Sequence, residues 1–73
     1  MSSNGVPNQI RQLRQAKNDM TQQQLADLVA VTRHTIMAIE AAKYSPSLEV
    51  AFKISEVFEL PLEQVFHYQP AKI

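Results

Sequence analysis

The chain of 73 residues lacks cysteine and tryptophan and contains a single glycine, Gly5. Without cysteine it can form no disulfide bond, and His34 and His67 cannot complete a structural zinc site by themselves. No apolar run reaches the roughly 20 residues that span a membrane, and no basic segment followed by an apolar one marks a secretory signal. These absences suit a single cytoplasmic domain that needs neither a metal nor another cofactor.

The sequence also lacks an excess of either charge, because seven Lys and Arg residues balance seven Asp and Glu residues. A net charge of zero argues mildly against a nucleic-acid partner, since DNA-binding domains usually carry a basic surface. The distribution is uneven, however. Residues 1–43 hold five basic and three acidic side chains, a net charge of +2, whereas residues 44–73 hold two basic and four acidic ones, a net charge of −2. We expect modest non-specific affinity for DNA, because few phosphates can be neutralised.

Residues 21–43, TQQQLADLVAVTRHTIMAIEAAK, predict two short helices with almost no linker between them. Thr21 and Gln24 have the spacing of a capping box, and Thr32 is a second N-cap candidate. An apolar stripe at helical spacing follows each cap: Leu25, Ala26, Leu28 and Val29 in the first helix, Ile36 and Ile39 in the second. Two helices joined this closely must cross at a steep angle, which is the helix-turn-helix arrangement.

Three further helices are predicted, and no segment has the alternating period of a strand. One has Asn8 as its cap and runs to about Lys17, one begins near Pro46 or Ser47, and one opens with Pro61. Their apolar positions are Ile10 and Leu13 in the first, Leu48, Ala51, Phe52 and Ser55 in the second, and Leu62, Val65 and Phe66 in the third.

These segments resemble the XRE family, the group of phage Cro and phage repressor DNA-binding domains. The residues at the usual positions of that family's helix-turn-helix are Gln22, Ala26, Ala30, Val31, Ile36 and Ile39. The segments IRQLR, KYSPSL, AFKI and LEQVF extend the resemblance over nearly the whole chain. It implies an all-α, compact five-helix lambda-repressor-like domain with the helix-turn-helix at helices 2 and 3. The domain is expected over residues 8–68, with a flexible N-terminal tail at 1–7 and a C-terminal tail at 69–73.

The resemblance also implies a function. We expect sequence-specific binding of double-stranded DNA in the major groove, as a homodimer on a palindromic operator, and regulation of transcription, with repression the favoured form. An alternative remains open, in which an antitoxin-like or partner-binding regulator uses the same fold mainly to bind protein. No catalytic constellation is recognisable, so no enzyme activity is expected, and no small-molecule ligand is evident.

Base contacts are predicted on the second helix of the motif. Arg33 and His34 begin that helix, the part of a recognition helix that meets base edges. An arginine can bond guanine O6 and N7 in a bidentate pair. Met37 and Ala38 lie one turn later, and Met37 could meet a thymine methyl group. The alternatives are a solvated helix end for Arg33 and His34, and packing against a neighbour for Met37.

Phosphate contacts are predicted around the same helix, at Gln22, Thr32, Thr35, Lys43 and Tyr44. Gln22 begins helix 2, where free N–H groups and the helix dipole favour an anion. Lys43 and Tyr44 match the family loop that touches the DNA backbone. Capping alone would explain the two threonines, and Lys43 also suits the negative end of a helix dipole.

Two further expectations concern packing. By resemblance, Arg14 and Glu40 form a structural ion pair between helix 1 and helix 3. The last helix offers more apolar surface than one small core needs, which predicts a dimer interface at Leu62, Val65, Phe66 and Tyr68. The alternative is that these side chains simply close the core of the single chain.

Alanine stands at two places where the family usually has glycine. Ala30 lies in the turn of the motif and Ala42 follows its second helix. Both places commonly hold a left-handed residue, in which alanine costs roughly 1–2 kcal/mol. Either the backbone avoids that conformation here or the domain tolerates the strain.

Overall fold

The structure is a computed structural model that describes residues 5–67. Within this range the chain forms five α-helices: α1 (Ile10–Ala16), α2 (Gln22–Val29), α3 (Arg33–Glu40), α4 (Leu48–Phe58) and α5 (Leu62–Val65). The only extended pairing among these residues is an antiparallel bridge between Asn8 and Phe66. The predicted all-α, five-helix fold is confirmed. Tyr68 and the expected C-terminal tail lie outside the described residues.

Side-chain caps fix where the middle helices begin. Thr21 Oγ1 accepts a hydrogen bond from the Gln24 backbone at 3.0 Å, and Gln24 Oε1 accepts one from the Thr21 backbone at 2.8 Å. Thr32 Oγ1 accepts from the Thr35 backbone at 3.2 Å, so α3 is also capped. Each such cap stabilises its helix by about 0.5–2 kcal/mol. The predicted capping box and second cap are confirmed.

One core lies beneath α2 and α3 and is closed by the other helices. Its buried apolar residues are Ile10, Leu25, Ala26, Val29, Ile36, Ile39, Ala51, Ile54, Val65 and Phe66. Ala26 is fully buried, and its small side chain permits the close crossing of α2 and α3. The apolar stripes predicted on α2 and α3 are confirmed except at Leu28, which is 60% exposed.

The buried face of α4 differs from the predicted stripe. Ala51 and Ser55 are buried as expected, but Leu48 is 67% exposed and Phe52 51% exposed. Ile54 takes the central position in the core, which rotates the buried face away from Leu48 and Phe52. The Ser55 hydroxyl donates to the Ala51 carbonyl at 3.0 Å, so a polar side chain enters the core with its hydrogen bond satisfied.

The end of the domain is also packed differently from the interface prediction. Val65 is fully buried and Phe66 is 8% exposed, both within the core of the single chain. The prediction that these two residues offer spare apolar surface is therefore wrong. A domain this small needs Val65 and Phe66 to close its own core. Among the predicted interface residues that the structure describes, Leu62 alone is partly accessible.

Three helices end on a left-handed residue that is not glycine. Ala30 (φ 61°), Ala42 (φ 57°) and Glu59 (φ 56°) follow α2, α3 and α4. At each end the next backbone N–H bonds a carbonyl five residues back, as in the Val31-to-Ala26 bond of 3.0 Å. Ala30 and Ala42 therefore adopt the left-handed conformation and carry its strain.

We predict that Ala30→Gly stabilises the domain by about 0.5–1 kcal/mol, the relieved strain less the entropy that glycine adds to the unfolded chain. Thermal or urea unfolding measures the effect. Ala16→Gly is the control, because Ala16 lies within α1 and is exposed; this change should destabilise by up to about 1 kcal/mol. A lower melting temperature for Ala30→Gly would contradict the strain at Ala30.

Candidate nucleic-acid interface

The first turn of α3 presents polar side chains to solvent. Arg33 and His34 are exposed and Met37 is 40% exposed, whereas Ala38 is half-buried. Ile36 and Ile39 are fully buried on the opposite face. Arg33 and Met37 are four residues apart and share one face of the helix. The structure therefore brings three of the four predicted base-contact residues into solvent, and Ala38 lies deeper.

A polar network holds the other end of α3. Arg14 Nε lies 2.6 Å from Glu40 Oε2, and Arg14 Nη2 donates to Glu40 Oε1 at 3.1 Å. Arg14 Nη1 donates to the Met20 carbonyl at 2.7 Å. The Gln22 side-chain amide donates to Glu40 Oε1 at 3.1 Å. The ion pair predicted between Arg14 and Glu40 is thus present, and it connects α1, the loop before α2, and α3.

Within this network the Gln22 side chain is not a free surface residue. Its side chain is half-buried and is held by Glu40. The backbone N–H groups of the first turn of α2 have no partner within the helix. The geometry therefore assigns the side chain of Gln22 to bracing α3 and leaves the start of α2 as the part able to attract an anion.

An open cleft of about 780 Å³ lies between α1, the start of α2, and α3. Arg11 lines it together with Gln22 and Arg33. Arg11 is exposed and was not among the residues singled out from the sequence. Its position in the positively charged half of the chain was the available signal. Only the fold reveals that it lies beside the start of α2.

The remaining predicted phosphate contacts flank α3. Thr32 and Thr35 are at its start, where their hydroxyl oxygens lie 3.0 Å apart in a hydrogen bond. Lys43 is exposed and Tyr44 is 50% exposed, both in the loop after α3. Hydroxyl groups thus lie at the start of α3, and a basic group and a phenol hydroxyl lie beyond its end.

Within 5–67, no three His, Asp or Glu side chains come close enough to hold a metal ion. None of the helices described there has the length and apolar character needed to cross a membrane.

The known proteins that resemble this chain in sequence are described as helix-turn-helix proteins. A family model described as helix-turn-helix matches residues 10–65. An uncharacterised HTH-type transcriptional regulator of Methanocaldococcus jannaschii is 46% identical over 54 residues, which cover 74% of this chain and 82% of that protein. The uncharacterised HTH-type transcriptional regulator YgzD of Bacillus subtilis is 42% identical over 61 residues, covering 84% and 91%.

A solved structure is similar in fold. It is a transcriptional regulator from Listeria innocua, which superposes with a TM-score of 0.69 at 15% identity. The match covers 93% of this chain and 66% of that one. At this identity the likeness concerns the fold alone.

We predict that Glu40→Gln destabilises the domain by about 2–3 kcal/mol, because it leaves a nearly buried guanidinium without its counter-charge. The side chains of Arg14 and Glu40 are only 11% and 9% exposed. Glu49→Gln is the matched control, since its pair with Lys53 is largely exposed and should contribute less than about 0.5 kcal/mol. Equal melting temperatures for the two variants would show that the Arg14–Glu40 pair does not hold the fold.

Proposed function

Because this chain belongs to the XRE-type helix-turn-helix family, we propose that it binds double-stranded DNA sequence-specifically and represses transcription. The observation that carries the proposal is the exposed face of α3, whose opposite face is fixed in the core. Arg33, His34 and Met37 project from that face. A helix of this width fits the major groove of B-DNA, where each base pair presents a distinct pattern of donors and acceptors.

In this proposal α3 supplies the sequence discrimination. Arg33 bonds a guanine in a bidentate pair, Met37 meets a thymine methyl group, and His34 bonds a neighbouring base edge. Ala38 is half-buried, so its contact is limited to a close approach by the groove wall. The Arg14–Glu40 network holds α3 while these contacts form, which spares the complex the cost of ordering the helix.

Phosphate contacts position the helix. Lys43 and Tyr44 bind the DNA backbone beyond the C-terminal end of α3, and Thr32 and Thr35 bind it at the start. The start of α2, with the Gln22 backbone and the nearby Arg11, takes a further phosphate. The total charge of the chain is zero, so affinity for random DNA stays modest and discrimination depends on α3.

We predict that Arg33→Ala loses about 1–3 kcal/mol on a duplex selected from random DNA and relaxes the preference at one base pair. Lys43→Ala is the contrasting variant. It should weaken binding similarly on all sequences and lower the slope of log K against log salt by about one unit.

Selection from a random pool followed by titration at several salt concentrations separates these outcomes. Equal loss of Arg33→Ala on selected and scrambled duplexes would reassign Arg33 to a phosphate. Failure of the wild-type protein to enrich any sequence would contradict the proposed function itself and favour the alternative of a protein-binding regulator.

The homodimer also belongs to the proposal, but on a different surface from the predicted one. Leu48 and Phe52 are exposed one turn apart on α4, and a groove of about 620 Å³ runs from Phe52 to Leu62. Large exposed apolar side chains that cluster on a small domain commonly mark an interface. A two-fold dimer would present two copies of α3 to a palindromic operator with half-sites roughly 34 Å apart.

We predict that the wild-type protein sediments mainly as a dimer at about 100 μM, which requires a dissociation constant below that concentration and a dimerisation free energy more favourable than roughly −5.5 kcal/mol. The Phe52→Lys variant should sediment as a monomer with its helices intact. Leu28→Lys is the control, because Leu28 is similarly exposed but lies on α2. A monomeric wild type, or dissociation by both substitutions alike, would contradict this interface.

A further inference from the structure

The N-terminal residues of the described chain run between the end of α3 and the end of the domain. The Pro7 carbonyl accepts from the His67 backbone at 2.7 Å, and the Gln9 backbone donates to the Val65 carbonyl at 3.1 Å. Gly5 lies so close to Ala42 that a Cβ at this position would overlap the Ala42 backbone. Residues 5–9 therefore form a strap that lies against the C-terminal turn of α3.

Asn8 is the residue of the strap that bonds α3 directly. Its amide Nδ2 donates to the Ile39 carbonyl at 2.8 Å and to the Val6 carbonyl at 3.0 Å. Its Oδ1 accepts from the Ile10 backbone at 3.2 Å, at the start of α1. Two carbonyl oxygens on one side and an N–H on the other fix the orientation of the amide.

The end of α3 offers carbonyl groups that such a donor can bond. The last carbonyls of a helix have no N–H donor within the helix, and the left-handed residue that follows α3 is the strained Ala42 rather than a glycine. The Ile39 carbonyl accepts from the Ala42 backbone at 3.0 Å and uses its second lone pair for Asn8. Asn8 thus completes the hydrogen bonding of the turn that precedes Lys43.

Asn8 and Arg14 bind consecutive residues of α3. Arg14 bonds the Glu40 side chain and Asn8 bonds the Ile39 carbonyl, and these two groups belong to α1 and its lead-in. Ile36 and Ile39 already anchor α3 in the core, and the two polar attachments add a directional constraint at its C-terminal end.

We propose that Asn8 is a positioning residue for DNA recognition, which sets the orientation of α3 through the Ile39 carbonyl and thereby determines sequence discrimination. The proposal rests on the proposed function. It assigns to Asn8 no contact with DNA. Its effect should fall on the ratio between specific and random binding, because a rotated α3 misplaces base contacts while phosphate contacts adapt.

Asn8→Ser tests this without a change of charge, since a hydroxyl can still accept from the Ile10 backbone but is too short to reach the Ile39 carbonyl. Asn8→Asp is the second variant, which keeps the shape and removes the donor. Gln9→Ala is the matched control, because the Gln9 side chain bonds the Gln64 carbonyl and not α3. Affinities are measured on a selected duplex and on its scrambled counterpart, at a temperature where circular dichroism shows every variant folded.

Both Asn8 variants should bind the selected duplex about tenfold more weakly, the equivalent of roughly 1.4 kcal/mol, so that the specific-to-random ratio falls. For Gln9→Ala this ratio should drop by less than about twofold. Amide hydrogen exchange of the free protein is the second readout. Exchange should accelerate at Ala42 and Lys43 in the Asn8 variants, while the Leu25 amide in α2 stays protected.

An unchanged specific-to-random ratio in both Asn8 variants would overturn the proposal, as would exchange that accelerates equally throughout the fold. If the wild-type protein prefers no sequence, the proposed function fails first. In that case the exchange pattern alone decides whether Asn8 holds the end of α3.

Discussion

The orientation of α3 depends first on the ion pair between Arg14 and Glu40. Both side chains are nearly buried, so a charge that lost its partner would have little water to replace it. Breaking the pair therefore carries a large desolvation cost. The guanidinium also bonds the Met20 carbonyl, and the carboxylate also bonds Gln22. Every donor and acceptor named here has a partner, which makes this pair a geometric constraint rather than a simple source of stability.

The fold accepts strain at two helix ends where glycine would be unstrained. Ala30 and Ala42 adopt the left-handed conformation because the helix-ending hydrogen bonds require it, and alanine has the smallest side chain that can comply. The strained ends adjoin the two segments that the proposed interface uses, the turn before α3 and the loop after it. Caps at Thr21 and Thr32 and contacts from Asn8 and Arg14 offset that strain at the neighbouring positions.

Local rules predicted most of the fold. The capping box of Thr21 and Gln24 and the cap at Thr32 depend on spacings of three residues, which a sequence displays directly. The family resemblance supplied the Arg14–Glu40 pair. The misplaced residues were those whose burial depends on packing between helices: Leu28, Leu48 and Phe52 are exposed, and Val65 and Phe66 are buried, although their apolar spacing is ordinary. The bond from Asn8 to Ile39 joins residues 31 positions apart, and no local pattern indicates it.

The central claim is that α3, held from behind, reads DNA with its exposed face. An NMR titration of the labelled protein with a selected duplex and with a scrambled duplex of equal length tests this most directly. The claim predicts that amides from Arg33 to Ala38 shift only with the selected duplex, whereas those of Lys43 and Tyr44 shift with both. Shifts confined to α4, or identical patterns for the two duplexes, would contradict it.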